Sequence, residues 1–272
     1  AAKRAGVGTV LYPFADDLAR LAVGYHRTSA RVLRDLFRLD AKRLEPLYDE
    51  LRAEVEADDR AWWGRARTLS VGATRTTSFA AGERQIVGTV KNAIVDGLQA
   101  RGHKLVIDAE RPDLLLSARV DDDERLVVSL DLGGRSLSQR GYRAQAGEAP
   151  LREHLAAALV MLSRYDARRE IFFDPMCGAG TICIEAALMA TAAARVGGLP
   201  PLFPDTVPHI VANDLDVGVL ATARNNAEQA RARGIAWRRG DFRELAPADV
   251  VALTGAANGE VGNTGVIVVN PP

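Results

Sequence analysis

Apolar positions near the start of the chain recur three or four apart. Leu18, Leu21, Ala22, Tyr25, Val32, Leu33 and Leu36 follow this spacing, which predicts helix over residues 16–37, interrupted by the basic stretch 26–34. A second helix is expected with Asp40 as its N-cap and Leu44, Leu47, Tyr48, Leu51 and Val55 on one face, closed by Trp62-Trp63-Gly64. Residues 69–73 alternate as a strand, and a polar, basic loop follows to about Gln85. Residues 86–98 are helical, with Ile86, Val90, Ala93, Ile94 and Leu98 inward and Lys91 outward. Residues 104–107, 114–120 and 125–132 read as strands, the last two joined by the acidic turn Asp121-Asp122-Asp123. The mixture is an α+β pattern.

Residues 133–147 are rich in Gly, Ser, Gln and Arg and nearly devoid of aliphatic side chains, which sets a linker at 136–149. After Pro150 an amphipathic helix carries Leu151, Leu155, Ala158, Leu159 and Leu162. Then come a strand (171–173), a helix (181–194), a strand (209–212), a helix (217–233) and two strands (235–238, 266–269). Apolar strands alternating with helices predict a parallel α/β sheet whose ligand site lies at the carboxyl ends of the strands.

Composition adds limits. With 47% of 272 residues hydrophobic, the chain can bury two ordinary cores. Basic and acidic residues balance at 35 each, so attraction to nucleic acid has to come from local patches. Only four of the basic residues are Lys, and Arg is the one that grips phosphate bidentately and stacks on bases. Two cysteines, Cys177 and Cys183, indicate neither a disulfide framework nor a zinc site, so no metal is expected and a reducing cytoplasm fits. No apolar run is long enough to span a bilayer and no leader opens the chain, so no membrane partner is expected. The start at Ala1, without Met, reads as the middle of something longer.

Candidate chemistry collects where the strands of the second half should end. Asp174-Pro175-Met176-Cys177-Gly178-Ala179-Gly180-Thr181 joins strand to helix, and Gly178 and Gly180 allow a tight turn and close approach of a ligand. Cys183 stands where a dinucleotide fingerprint has its third glycine, and Asp174 precedes the turn. A pyrophosphate, and with it a nicotinamide reductase, is disfavoured, whereas the cationic amino group and sulfonium of S-adenosylmethionine suit that carboxylate. Asp214 ends the second strand and can accept from both hydroxyls of a ribose, while Asp216 reads as the cap of the next helix. In Gly240-Asp241-Phe242, Asp241 can accept from an adenine amino group and Phe242 can cover a ring face. Asn270-Pro271-Pro272 ends the fourth strand. A base amine is a poor nucleophile because its lone pair is delocalised; the Asn270 side-chain oxygen and the Pro271 carbonyl can hold both amine hydrogens and free that pair. The prolines fix the backbone and remove competing donors, so positioning governs an in-line transfer. Each element alone would be an ordinary turn; their order carries the weight, provided that the strand tips converge and none is buried as core.

Together these elements resemble the class I S-adenosylmethionine-dependent methyltransferases that act on exocyclic amines of nucleic-acid bases, in the branch that carries an RNA-binding THUMP domain in front. Residues 90–96, Pro112-Asp113-Leu114 and Val128-Ser129-Leu130-Asp131 are similar to THUMP elements. Arg140-Gly141-Tyr142-Arg143 with Ala149-Pro150-Leu151-Arg152-Glu153 resembles the junction of the bacterial ribosomal RNA large subunit methyltransferase L family, which are guanine-N2 enzymes. The resemblance implies a THUMP-like domain over 1–135 with a remnant of a preceding domain, and the N-terminal part of a Rossmann-like methyltransferase domain, strands 1 to 4, over 150–272. It also implies that Asp174, Pro175, Cys177, Gly178, Gly180, Thr181, Asp214, Asp241 and Phe242 bind S-adenosylmethionine, and that Asn270, Pro271 and Pro272 hold the target amine. Arg75, Arg84, Lys91, Arg140 and Arg143 become the expected contacts to structured RNA, ribosomal RNA first and tRNA second. Rival readings are an adenine-N6 DNA methyltransferase and a non-catalytic RNA-binding protein. Because the chain stops at Pro272, short of the aromatic residue and strands the family places next, the piece is expected to be inactive by itself.

Overall fold

The computed structural model describes residues 3–4, 8–40, 42–74, 79–134, 136–143, 151–195, 199–256 and 264–271. They form two compact units, residues 1–20 with 31–135 and residues 21–30 with 136–272. Among the described residues no helix is long and apolar enough to cross a membrane.

In the first unit a short antiparallel pair, β1 (Lys3–Arg4) and β2 (Val10–Leu11), precedes the first part of α1 (Asp16–Tyr25). A mixed sheet follows, built from β3 (Leu33–Leu39), β4 (Thr68–Thr74), β5 (Val106–Ile107), β6 (Leu114–Val120) and β7 (Leu126–Asp131) in the order β3-β7-β6-β4-β5. β4 runs parallel to β5 and β6, and β7 antiparallel to β3 and β6. Helices α2 (Leu44–Ala57) and α3 (Glu83–Ala100) bury the apolar stripes that the spacing predicts, Leu47, Leu51 and Val55 with Ile86, Val90, Ala93, Ile94 and Leu98, in one core with Leu69, Leu116 and Val128 of the sheet.

Two expectations fail here. Residues 33–39 are strand, not the end of a helix, because they pair with β7. The register slips between Asp35 and Phe37, so that the consecutive Leu36 and Phe37 are both buried; this bulge breaks the two-residue alternation and imitates helical spacing. Asp40 does not cap α2, which begins after Arg43; the Asp40 N–H instead donates to Glu50 Oε1 at 3.3 Å.

The second unit carries β8 (Ile171–Asp174), β9 (His209–Asp214), β10 (Ile235–Arg239) and β11 (Gly265–Ile267), all parallel, in the order β10-β9-β8-β11. The central strands bury Phe172, Ile210, Val211 and Ala212 completely, as strands covered on both faces require. Helices α4 (Glu153–Ser163), α5 (Thr181–Ala190), α6 (Val217–Ala230) and α7 (Pro247–Leu253) complete the unit. The order of the strands reverses between β8 and β11, which puts the topological switch point at the carboxyl end of β8.

α4 turns a different face inward from the one its leucines predict. Ala156, Ala157 and Val160 are buried, while Leu155 is 46% and Leu162 78% exposed, because small side chains let α4 lie close to α5. The described part of the expected linker, 136–143, also packs into this unit. Leu137 and Tyr142 are buried, and the Leu137 N–H donates to the Ala30 carbonyl at 2.8 Å. Two isolated anchors among polar residues left little periodic signal.

Close approach of α2 and α3 yields a test. A Cβ on Gly97 would come within 2.9 Å of the buried Val55 side chain and 3.2 Å of the Arg52 carbonyl. Ala favours helix over Gly by ~1 kcal/mol, but overpacking costs ~1–3 kcal/mol and backbone cannot give way cheaply. Gly97→Ala is therefore expected to lower the denaturant midpoint of the chain, and a raised midpoint would contradict this packing.

Candidate functional site

The parallel register brings four strand ends to one edge of the sheet. Arg239 pairs with Asp214, Ala212 with Asp174, and Ile267 with Phe173, so the loops that follow β8, β9 and β10 and the segment after β11 leave side by side. Val268 N–H extends the last pairing to the Phe173 carbonyl at 3.1 Å, three residues before Pro271 and two before Asn270.

The loop after β8 is tied to its neighbours by backbone groups. Gly178 and Gly180 take φ of 52° and 79°, the left-handed region where a side chain is strained, and Gly180 caps α5. A Cβ at Gly180 would stand 3.1 Å from both Ala223 and Trp237, whereas one at Gly178 would meet open space. The Cys177 N–H donates to the Asn213 carbonyl at 2.8 Å, and the Gly178 N–H donates to Asp214 Oδ2 at 2.9 Å. Asn213, 1% exposed and unnoticed in the sequence, donates from Nδ2 to the carbonyls of Pro175 and Gly240, both at 2.9 Å, and accepts Arg238 Nη1 at 2.8 Å. Its signal was an amide directly after the apolar run Ile210-Val211-Ala212.

Each carboxylate sits differently. Asp214 accepts from the Asp216 N–H at 3.0 Å and the Gly178 N–H at 2.9 Å, which leaves one acceptor position free on each oxygen. Asp216 caps α6 as expected, accepting from Gly218 at 2.7 Å and Val219 at 3.0 Å. Asp241 accepts its own turn's Arg243 N–H at 2.9 Å and is gripped by the Arg243 guanidinium, which holds its carboxyl down to about 2. That guanidinium is 77% exposed, so displacing it costs little. Phe242, beside it, is 39% exposed, a large aromatic face open to solvent.

Asp174 departs from the expectation that all four tips be open. It is 1% exposed and accepts from the Met176 N–H at 3.2 Å. Burial, and secondarily the charge of Asp214, push its carboxyl up to about 7. Pro175 is buried too, and the Thr181 hydroxyl is buried against Arg143. Cys177 is buried, and desolvation followed by Asp174 and Asp214 raises its thiol far above the usual range, so it is no nucleophile. Asn270 and Pro271 are exposed; Pro272 lies outside the described residues.

The expected RNA contacts separate. Arg84, exposed, and Lys91, partly exposed, lie seven apart on α3 and so share a face. Arg75 lies outside the described residues. Arg140 is not available to RNA: its side chain is 4% exposed and pairs through Nε with Glu185 at 3.2 Å. Arg143 is also turned inward, 15% exposed, donating to the Leu151 carbonyl and to Thr181 Oγ1. Both are held by acceptors of their own unit, which no sequence pattern announces.

A parallel sheet with a glycine turn after its first strand, an acid after the second and an Asn-Pro after the fourth defines a Rossmann-like methyltransferase domain. Residues 140–272 match the UPF0020 family, described as RMKL-like, methyltransferase domain, and the chain belongs to this RMKL-like class. It is 34% identical over 277 residues to the ribosomal RNA large subunit methyltransferase K/L of Methylococcus capsulatus, covering 91% of this chain and 36% of that protein. The chain thus spans about a third of the length of such relatives. Among solved structures, a possible methylase from Clostridium difficile 630 superposes with a TM-score of 0.75 at 23% identity, covering 100% of this chain and 74% of that one. Another neighbour, SMU.472, solved in complex with SAH, has a TM-score of 0.65 at 24% identity, covering 94% of this chain and 69% of that one.

The sign of the Asp174 effect can be checked. Its carboxyl is raised in the folded state from an ordinary value of 3.8 to about 7, so it contributes stability that is whole below pH 3.8 and is lost as pH rises through about 7. Urea unfolding at pH 5 and pH 8 is expected to show the wild type losing ~2 kcal/mol more than Asp174→Asn over that interval. Equal losses in the two proteins would show that Asp174 ionises normally.

Proposed function

We propose that the protein is part of an S-adenosylmethionine-dependent methyltransferase acting on the exocyclic N2 amine of guanine in large-subunit ribosomal RNA, with the first unit a THUMP-like RNA-docking domain. The observation that carries the reading is the adjacency of four parallel strand ends bearing Asp174, Asp214, Asp241 and Asn270 at the switch point of the sheet. The ribosomal RNA enzymes to which the chain is similar supply the substrate class.

The residues present fit this cofactor. Two neighbouring carboxyls, one raised by desolvation and the charge of the other, gain from a cation between them, and the ligand carries both an ammonium and a sulfonium. Open space over Gly178 leaves room for it. The two unused acceptor positions of Asp214 match the two hydroxyls of a ribose. Asp241 would exchange Arg243 for the adenine amino group while Phe242 covers the ring. Bound there, the cofactor supplies an electrophilic methyl group. Asn270 and the Pro271 carbonyl accept the two hydrogens of the target amine, which localises the nitrogen lone pair for in-line attack; the proton released afterwards passes to solvent. No strong base is required, because positioning supplies the rate. On the docking unit, Arg84 and Lys91 of α3 are the remaining phosphate contacts.

Calorimetric titration with S-adenosylmethionine tests the cofactor. Saturable binding is expected, weakened ~10–100-fold in Asp214→Asn by loss of charge-assisted bonds to the ribose. No heat at millimolar cofactor would end the reading. In the full-length protein, Asn270→Ala is expected to lose methyl transfer to ribosomal RNA and keep cofactor affinity. Nucleoside mass spectrometry of its product decides the base: methyladenine in place of N2-methylguanosine would contradict the guanine assignment.

A further inference from the structure

The second unit holds a cavity of about 590 Å³ far from the four strand ends. It is lined by the last turns of α5 and α6 and by residues just ahead of β9 and β10, such as Val207 and Arg233, so it opens at the amino ends of those strands. Five arginines line it, Arg27, Arg140, Arg195, Arg231 and Arg233, and among the described residues no carboxylate does.

The charge there is incompletely neutralised. Glu185, fully buried, pairs with Arg27 at 3.1 Å and with Arg140 at 3.2 Å. The two helix C-termini contribute about half a negative charge each. Five guanidiniums against these leave roughly three positive charges unmatched. Arg195 shows the consequence. Among the described residues its Nη atoms donate only to the neutral Ala22 and Ser29 carbonyls and, at 3.5 Å, to the Ser29 hydroxyl, and its buried Nε has no partner; burial together with Arg140 and Arg27 holds its guanidinium down to about 10. Arg231 and Arg233 are exposed, and among the described residues neither side chain has an ion-pair or hydrogen-bond partner. A protein gains nothing in stability from gathering unmatched cations, so the cluster is built for an anion.

We propose that this arginine-lined cavity is a phosphate-binding site for the RNA backbone, gripping the substrate on the side of the domain opposite the methyl-donor site. Arg231 and Arg233 at the mouth meet the phosphodiester, and the incompletely neutralised charge of Arg195 behind them adds to the attraction. The inference rests on the reading of RNA as substrate, and the test separates the two.

The whole chain is titrated with a structured RNA hairpin at several salt concentrations, beside a double variant, Arg231→Gln with Arg233→Gln, and a control, Arg169→Gln with Arg224→Gln, which removes two exposed charges elsewhere on the same unit. Loss of two phosphate contacts is expected to lower the slope of log K against log salt by ~1.4–1.8 and the affinity roughly tenfold, with the control close to wild type. S-adenosylmethionine affinity, measured on the same variant, is expected to stay unchanged. An unchanged slope, or an equal fall in the control, overturns the inference even if cofactor binds; failure of the wild type to bind cofactor instead counts against the proposed function. Inorganic phosphate binding that disappears in the variant while the RNA slope stays unchanged would assign the cavity to a small phosphate ligand and overturn the RNA assignment.

Discussion

The second unit's strand-end site depends on one buried amide. Asn213 uses both Nδ2 hydrogens on the carbonyls of Pro175 and Gly240 and its oxygen on Arg238, so the loops after β8 and β10 are fixed through a single side chain of β9. The network is fully satisfied and nearly dry, the condition under which such bonds specify one arrangement. Next to it, Asp214 fixes the first loop through Gly178 and still keeps two acceptor positions free. The loop that would face a ligand is therefore shaped before any ligand arrives, which lowers the ordering cost of binding.

At the carboxyl ends of the strands stand Asp174, Asp214 and Asp241, with Arg238 and Arg243 beside them; burial, and then the charge of Asp214, raise Asp174 toward neutrality. At the amino ends of β9 and β10 five arginines line one cavity, and among the described residues Glu185 is their one buried carboxylate partner, through Arg27 and Arg140. On the proposed reading the RNA backbone is held at the amino ends while its target base reaches Asn270 beside the methyl donor at the carboxyl ends, although the net charge of the chain is zero.

Much of this was legible in the residues. The alternation of apolar strands and helices announced the parallel sheet, and the four loop elements fell where strands end. Helices α2 and α3 showed their buried stripes plainly, because three-to-four spacing is local. What stayed hidden depends on partners distant in sequence. The bulge at Asp35 mimicked a helix; Ala156 and Val160, not the leucines beside them, met α5; and Asp174 proved buried where an open carboxylate was expected. Arg140 and Arg143 read as surface cations until Glu185 and Leu151 were seen to hold them, since a sequence shows a charge but not its counterpart. The cluster around Arg195 escaped for the same reason: its members come from four separate stretches of chain.

Hydrogen–deuterium exchange with and without S-adenosylmethionine reports directly on whether the strand-end loops bind the cofactor. Added protection is expected to be confined to the amides of Cys177, Gly178 and Gly180, of Leu215 and Asp216, and of Phe242 and Arg243, the loops that follow three neighbouring strands. Protection centred instead on the last turns of α5 and α6, or spread without regard to those loops, would contradict cofactor binding there.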